Sequence, residues 1–290
     1  MDVPRAWKNI DLTTTHKGTV LIVGGPDTGK STFAQWLYAE SSAAGYRTAF
    51  IDGDPGQSMV GPPTTVSMMI GKPGDNTFPP TGSLWLRFVG STSPVRHMLP
   101  ILSAAGRLVE EAHLQRADRI IYDTTGLIDK RVGGVTLKLA LIDLLQPDSV
   151  VAFQKDNELR PLIEFLRRTS QSKLYELEPV QGIRRRYMQD RQTHRRTMYE
   201  QYFVNVVESE LEWTEIAVSP EPHFNRNQLA ALQDRQGYVL TLWIIDDIDT
   251  KEKRLKLLAP YPISEFHGRI DSLCLGSLSL DPESFREQWL

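Results

Sequence analysis

With one cysteine, Cys274, in 290 residues, the chain can form no internal disulfide and no thiolate set for a structural zinc. That scarcity fits a reducing compartment, and the chain is expected in the cytoplasm. No apolar run approaches the ~20 residues of a membrane-spanning helix. The opening MDVPRAWKNIDL lacks the apolar core of a secretory signal. No membrane partner is therefore expected. An excess of one charge is also missing. Lys and Arg number 33 against 36 Asp and Glu, a net charge of -3. The molecule as a whole is thus no generic binder of polyanions, and any nucleic-acid contact must come from a local basic segment. Repeats and low-complexity tracts are absent too.

What the sequence does have is an alternation of strand and helix signals over its first two-thirds. Strands are expected at Thr19–Val23, Thr48–Ile51, Ser83–Val89, in RIIYDTTG and in SVVAF. Helices are expected at Lys30–Ala44, Pro94–Ala117 and Leu137–Leu145. Residues 55–83, rich in Pro, Gly and Thr, read as an irregular excursion. The rhythm predicts an α/β fold with a mostly parallel sheet flanked by helices. From Arg160 the pattern changes to a helix (160–168), a short strand (173–177) and a very basic helix at about 189–203. After Val204 short strands dominate (LTLWIIDDID, RLKLLAPYP, GRIDSLCLGSLSL). Two domains follow from this: residues 1–207, which include the basic segment, and a small β-rich domain at 208–290.

GGPDTGKS fits G-x-x-x-x-G-K-[ST] at Gly24, Gly29, Lys30 and Ser31. It lies between a strand and an amphipathic helix, the context this phosphate-binding loop requires. Gly25, Asp27, Thr28 and Gly29 are expected to wrap the phosphates, together with the first helical residues Lys30, Ser31 and Thr32. The Ser31 hydroxyl joins a Mg²⁺ shell, and the helix N-terminus adds its positive dipole end. The loop alone does not identify the acceptor of the phosphoryl group.

Phosphoryl transfer also needs positioned acids and a cation on the developing charge. Two strand ends offer acids. IDGDPGQS supplies Asp52, Asp54 and Gln57; ordinary turn chemistry is the plainer reading of Asp, Pro and Gly there. IIYDTTG supplies Asp123, a metal-associated acid or a simple turn residue; its D-x-x-G form also occurs as a γ-phosphate sensor. The segment GIRRRYMQDRQTHRR holds six arginines against one aspartate. Arg191 and Arg195 are four apart, so a helix puts both on one face. They can close over a triphosphate or bind an acceptor's phosphates, although most charge runs are solvated faces.

Taken in order, GGPDTGKST, DGDPGQSMVGPP, FVGSTSP, DTTG, LIDLLQPDSVVAFQK and RRRYMQDRQTHRRTMYEQYF resemble the polynucleotide 5′-hydroxyl kinases, the RNA kinases of pre-mRNA cleavage, tRNA splicing and rRNA processing. The resemblance covers roughly residues 5–285. It implies a P-loop NTPase fold with a lid region at about 180–203 and a C-terminal β domain. It further implies ATP or GTP as phosphoryl donor, Mg²⁺, and the 5′-OH end of RNA or DNA as acceptor. By motif, Lys30, Asp54, Arg191 and Arg195 take the catalytic roles, with Asp54 as general base. Ser31, Asp52, Asp54 and Asp123 fall on the metal side. Gln57, His97, Thr124, Gly126 and Leu127 fall on the acceptor side. Two positions depart from the family: its clasp Trp is Leu127, and the Asn before the clasp is Asp123.

Three other readings compete. A GTPase-type switch or chaperone, without a polynucleotide acceptor, would use DTTG, but QKDN (Gln154–Asn157) stands where N-K-x-D would give guanine recognition. A dimeric partitioning-type ATPase would need an early loop lysine, which Gly25, Pro26 and Asp27 do not supply. A non-enzymatic scaffold is disfavoured by the intact Lys30, Ser31, Asp54, Arg191 and Arg195. Oligomeric state is not readable.

Overall fold

Neighbouring residues of the first strand point to opposite faces, and both faces lead into apolar packing. In the computed structural model, which describes residues 3–8, 10, 18–75, 77–169, 171–179, 182 and 185–290, β1 spans Gly18–Gly24. It sends Leu21 and Val23 into one core cluster and Val20 and Ile22 into another. Such strands read as unbroken hydrophobic runs because helices cover both faces. The remaining strands of this sheet are β2 (Thr48–Gly53), β3 (Thr65–Ile70), β4 (Leu84–Phe88), β5 (Arg119–Thr124), β6 (Ser149–Phe153) and β7 (Lys173–Leu177). Their order is β4-β3-β2-β5-β1-β6-β7, parallel from β2 through β7, with β3 and β4 antiparallel at one edge.

A short α1 (Arg5–Lys8) and α2 (Lys30–Ala43) supply Trp7, Phe33, Leu37 and Tyr38 to one face. The other face is covered by α3 (Met98–Leu114), α4 (Gly134–Leu145) and α5 (Arg160–Thr169). Because β1, β2 and β5 run parallel, Gly24, Gly53 and Thr124 gather at one rim, where ligands of such sheets bind.

The last helix, α6 (Met188–Tyr202), leads into a second sheet. Its strands are β8 (Val207–Glu212), β9 (Ala217–Ser219), β10 (Gln228–Gln233), β11 (Val239–Asp249), β12 (Arg254–Ala259), β13 (Ser272–Leu280) and β14 (Glu287–Trp289). The order is β14-β13-β10-β11-β12-β8, with β9 beside β13. One face packs on Trp213, Phe224 and Phe266. The other receives Tyr199 of α6, Phe203 at its C-cap and Phe88 of β4.

Three sequence expectations change. Residues 55–83 are not wholly irregular, since they contain β3. Its Thr-Val-Ser-Met-Met-Ile is almost wholly buried and is flanked by Pro- and Gly-rich stretches that mask its strand signal. The third helix begins at Met98 rather than Pro94, because Pro94–His97 form a turn with Arg96 at φ 67°. The fourth begins three residues early, at Gly134. The start of the proposed lid, at 180, 181, 183 and 184, lies outside the described residues. Among those residues no helix is long and apolar enough to cross a membrane.

Candidate active site

The phosphate-loop backbone turns where β1 stops and α2 starts. Gly29, the N-cap of α2, sits at φ 97°, a conformation that favours glycine. Lys30 is buried, and its Nζ donates to the Gly25 carbonyl at 2.5 Å. Thr28 Oγ1 donates to the same oxygen at 2.9 Å. Burial lowers the Lys30 pKa, and Asp123, Asp54, Asp27 and Glu158 oppose that shift.

Asp123, next to last in β5, lies beside this loop. Ser31 Oγ donates to its Oδ2 at 2.6 Å, while its Oδ1 is buried without a hydrogen-bond partner. Burial raises the Asp123 carboxyl to about 6, against the pull of Lys30 and the Ser31 hydroxyl. A buried, half-satisfied carboxylate beside a serine hydroxyl is a donor set that suits a hard divalent cation. Among the described residues no three His, Cys, Asp or Glu side chains form a metal cluster. Mg²⁺ is compatible with this, since it is commonly held by one or two carboxylates with water and phosphate completing the shell.

Asp52 and Asp54 are one residue apart and do different things. Asp52 Oδ2 accepts from Met59 N at 2.5 Å, from Val60 N at 3.3 Å and from Ser58 Oγ at 3.3 Å, and Oδ1 accepts from Asp54 N at 3.3 Å. These bonds tie Asp52 to the turn that follows β2. Burial raises its carboxyl to about 7, with Asp123 and Asp54 adding to the rise and the Met59 amide opposing it. Asp54 accepts from Gly56 N at 2.9 Å and Gln57 N at 3.2 Å through Oδ1, and it lines the cavity.

That cavity is about 490 Å³. Its walls are Asp27–Thr32 of the loop, Asp54 and Gln57, Thr92–Val95, Thr124–Asp129, and Arg186, Arg191 and Arg195. The wall at Thr124–Leu127 is tied to its surroundings: Thr124 Oγ1 donates to Ile22 O at 2.8 Å, and Leu127 N donates to Thr125 Oγ1 at 3.1 Å. A Cβ on Gly126 would lie 3.1 Å from Pro26, so this wall rests against the phosphate loop. Over the opening, Arg191 Nη2 and Arg186 N both reach Asp27 Oδ2 at 3.2 Å. Arg195 pairs with Glu287 through Nε and Nη2 at 2.8–2.9 Å.

The structure thus brings Gly29, Lys30, Ser31, Thr32, Asp54, Gln57, Thr124, Gly126, Leu127, Arg191 and Arg195 to one cavity, with Asp123 behind Ser31. His97 is turned elsewhere. Its Nε2 meets Ser277 Oγ at 2.8 Å and its Nδ1 meets Val95 O at 3.1 Å, so it ties the start of α3 to the second sheet. Residues that sequence reasoning left without roles include Thr92, Ser93, Arg186, Lys138 and Glu287. The G-S-T-S-P segment holds Thr92 and Ser93. Lys138 lies at a core position of α4 between Leu137 and Leu141, a lysine where the helical period calls for an apolar residue. It is fully buried, and its Nζ donates to Thr125 O at 2.6 Å. Glu287 carries no sequence signal, because its partner lies 92 residues away.

Residues 24–205, more than half of the chain, match the model of the mRNA cleavage and polyadenylation factor CLP1 P-loop family. The chain is 30% identical over 186 residues to the polyribonucleotide 5′-hydroxyl-kinase of Methanocaldococcus jannaschii, covering 64% of this chain and 50% of that one. It is 30% identical over 208 residues to the polyribonucleotide 5′-hydroxyl-kinase of Pyrococcus furiosus, covering 70% and 56%. The chain thus spans about half the length of these curated relatives. In fold it resembles Clp1p as solved in a Clp1p–Pcf11p complex, with TM-score 0.69 over 94% of this chain and 77% of that one, at 14% identity.

Proposed function

The chain belongs to the CLP1 P-loop family, and from that premise we propose that it is a polynucleotide 5′-hydroxyl kinase transferring the γ-phosphoryl group of ATP or GTP to the 5′-OH end of RNA or DNA. The observation that carries this reading is the convergence of Lys30, Ser31, Asp54 and two arginines of α6 on one cavity, with Asp123 bonded to Ser31. The names of the archaeal relatives point to RNA as the acceptor.

In this reading the phosphates lie on the backbone amides of the loop and on Lys30, at the N-terminus of α2. Ser31, Asp123 and Asp54 are the residues that would hold Mg²⁺, which when bound neutralises charge on the β- and γ-phosphates. The 5′-hydroxyl oxygen attacks the γ-phosphorus, its proton passes to the Asp54 carboxylate, and the bond from phosphorus to the β–γ bridging oxygen breaks. Arg191 and Arg195 neutralise the charge that develops on the transferring group. Gln57 and the Thr124–Leu127 wall face the acceptor. Asp52 supports the turn that carries Asp54. The catalytic unit is residues 1–207, with the lid at about 180–203, and residues 208–290 form the β-rich unit beside it.

The test is transfer of labelled γ-phosphate from ATP, and separately GTP, to matched 5′-OH RNA and DNA oligonucleotides with Mg²⁺, beside Lys30→Ala. Label on an oligonucleotide that is lost in the variant supports the kinase. Free phosphate with no labelled oligonucleotide would sink it in favour of a nucleotide-driven switch.

A further inference from the structure

We infer that Glu287 is a positioning residue that fixes Arg195 over the phosphoryl-transfer site, so that strand β14 of the second sheet belongs to the active-site assembly. The inference rests on the kinase reading above.

Residues 191, 195, 199 and 203 are four apart and form one stripe along α6. The first two line the cavity. The last two are buried against the second sheet, where Phe203 stacks on Phe285 at 5.9 Å and 18°. Glu287 meets the stripe where its character changes. It lies on β14, opposite Leu280 of β13, and both oxygens reach the Arg195 Nε at 2.8–2.9 Å. A second nitrogen, Nη2, lies 2.8 Å from Oε2. The pair is well shielded, with side chains 15% and 13% exposed.

Side-on pairing through Nε and Nη2 fixes the guanidinium plane and leaves the Nη1 donors on the opposite edge. Those are the donors that a phosphoryl oxygen in the cavity can take. Arg191 is held differently, by a single 3.2 Å contact to Asp27, and it is 33% exposed. One lid arginine is thus pre-set by the second sheet, and the other is loosely held by the phosphate loop. A fixed cation aimed at developing charge needs no reorganisation during the reaction, which is the value of such a support.

The experiment is a double-mutant cycle on the full chain. Glu287→Ala and Glu287→Gln are made in wild-type and Arg195→Ala backgrounds, melting temperatures are recorded, and assays are run well below the lowest. Glu287→Gln keeps the shape and one acceptor, so it reports even where the alanine variant folds poorly. Expected for Glu287→Ala is a fall in kcat of about 10–100-fold, the scale set by a slightly misplaced group. Glu287→Gln should fall less. KM for the oligonucleotide should change by less than about 3-fold, because the lost interaction belongs to the transition state. In the Arg195→Ala background neither substitution should lower kcat further. Unchanged kcat, or equal losses in both backgrounds, overturns the assignment. Should the wild type phosphorylate neither RNA nor DNA, the kinase reading fails, and the same cycle is read on ATP affinity by calorimetry. Loss of affinity only where Arg195 is present would keep Glu287 as its support; no loss, or equal loss, would overturn it.

Discussion

Three aspartates meet at the rim of the sheet, and their hydrogen bonds separate their roles. Asp52 is tied to the turn after β2, Asp123 is tied to Ser31 with one oxygen unpartnered, and Asp54 lines the cavity. Of the three, only Asp54 lines the cavity, and the kinase we propose assigns it the acceptor's proton. Asp54→Ala should therefore lower transfer by about 10²–10⁴-fold, the usual worth of a general base, while nucleotide affinity by calorimetry changes little. Full transfer in that variant would remove Asp54 from the role. Lys138 gives a prediction in pH. An unfolded lysine titrates near ~10.4, whereas burial beside Lys30 lowers Lys138 to about 7 in the folded chain. Between those values the unfolded chain holds a proton that the folded chain does not, so this group makes stability rise with pH. Below about 7 both states are charged, and the full cost of burying the ammonium is present. Lys138→Met should flatten the rise in urea midpoint between neutral and alkaline pH. Equal slopes in both proteins would show that Lys138 does not titrate in this window.

At the scale of elements, α6 serves the proposed kinase as a lid with a fixed root. Its first half carries Arg191 and Arg195 over the cavity, and its second half ends in Tyr199 and Phe203, both buried in the core of the second sheet. Phe203→Ala removes a 3%-exposed ring and its stacking contact with Phe285. It should destabilise by roughly 3–5 kcal/mol, read from urea unfolding, and should lower transfer more than nucleotide binding because it loosens the lid. Unchanged stability would mean that α6 is rooted elsewhere. The strands and helices that frame the phosphate loop were legible because each carries a strong local signal: an unbroken apolar run, a helical period, a glycine turn. β3 was masked by the Pro- and Gly-rich stretches around it, and QLAALQ of β10 has no period-2 alternation because five of its six residues are buried. Within the site, motif residues such as Lys30, Asp54 and Arg191 could be read from spacing. The contacts of His97 with Ser277 and of Arg195 with Glu287 could not, since each joins groups 180 and 92 residues apart that only the packing of the two sheets brings together.

Across the whole molecule the two sheets are joined at several independent points. Arg87 Nη1 donates to Gln236 O at 2.7 Å, Ser277 N donates to Gly90 O at 2.8 Å, and Tyr238 Oη lies 3.3 Å from Glu111 Oε2. A Cβ on Gly90 would lie 3.1 Å from the Gly276 Cα, so the backbones themselves are close. Phe88, Tyr199 and Phe203 carry apolar packing across the same junction. Hydrophobic contact and hydrogen bonds this widely distributed couple the unfolding of one sheet to the other. Calorimetry of the full chain should therefore give one transition, and a nucleotide that binds only the folded state should shift all of it upward, by about 2.7 kcal/mol at a hundredfold excess over Kd. A chain cut after Asn205, where the family match ends, leaves Phe88, Tyr199 and Phe203 without their cover. It should bind hydrophobic dyes and show no phosphoryl transfer. Two calorimetric transitions, with only the lower or the upper moved by nucleotide, would separate the sheets energetically. The second sheet would then be an attachment to the catalytic unit, and a well-folded, active chain ending at Asn205 would establish the same.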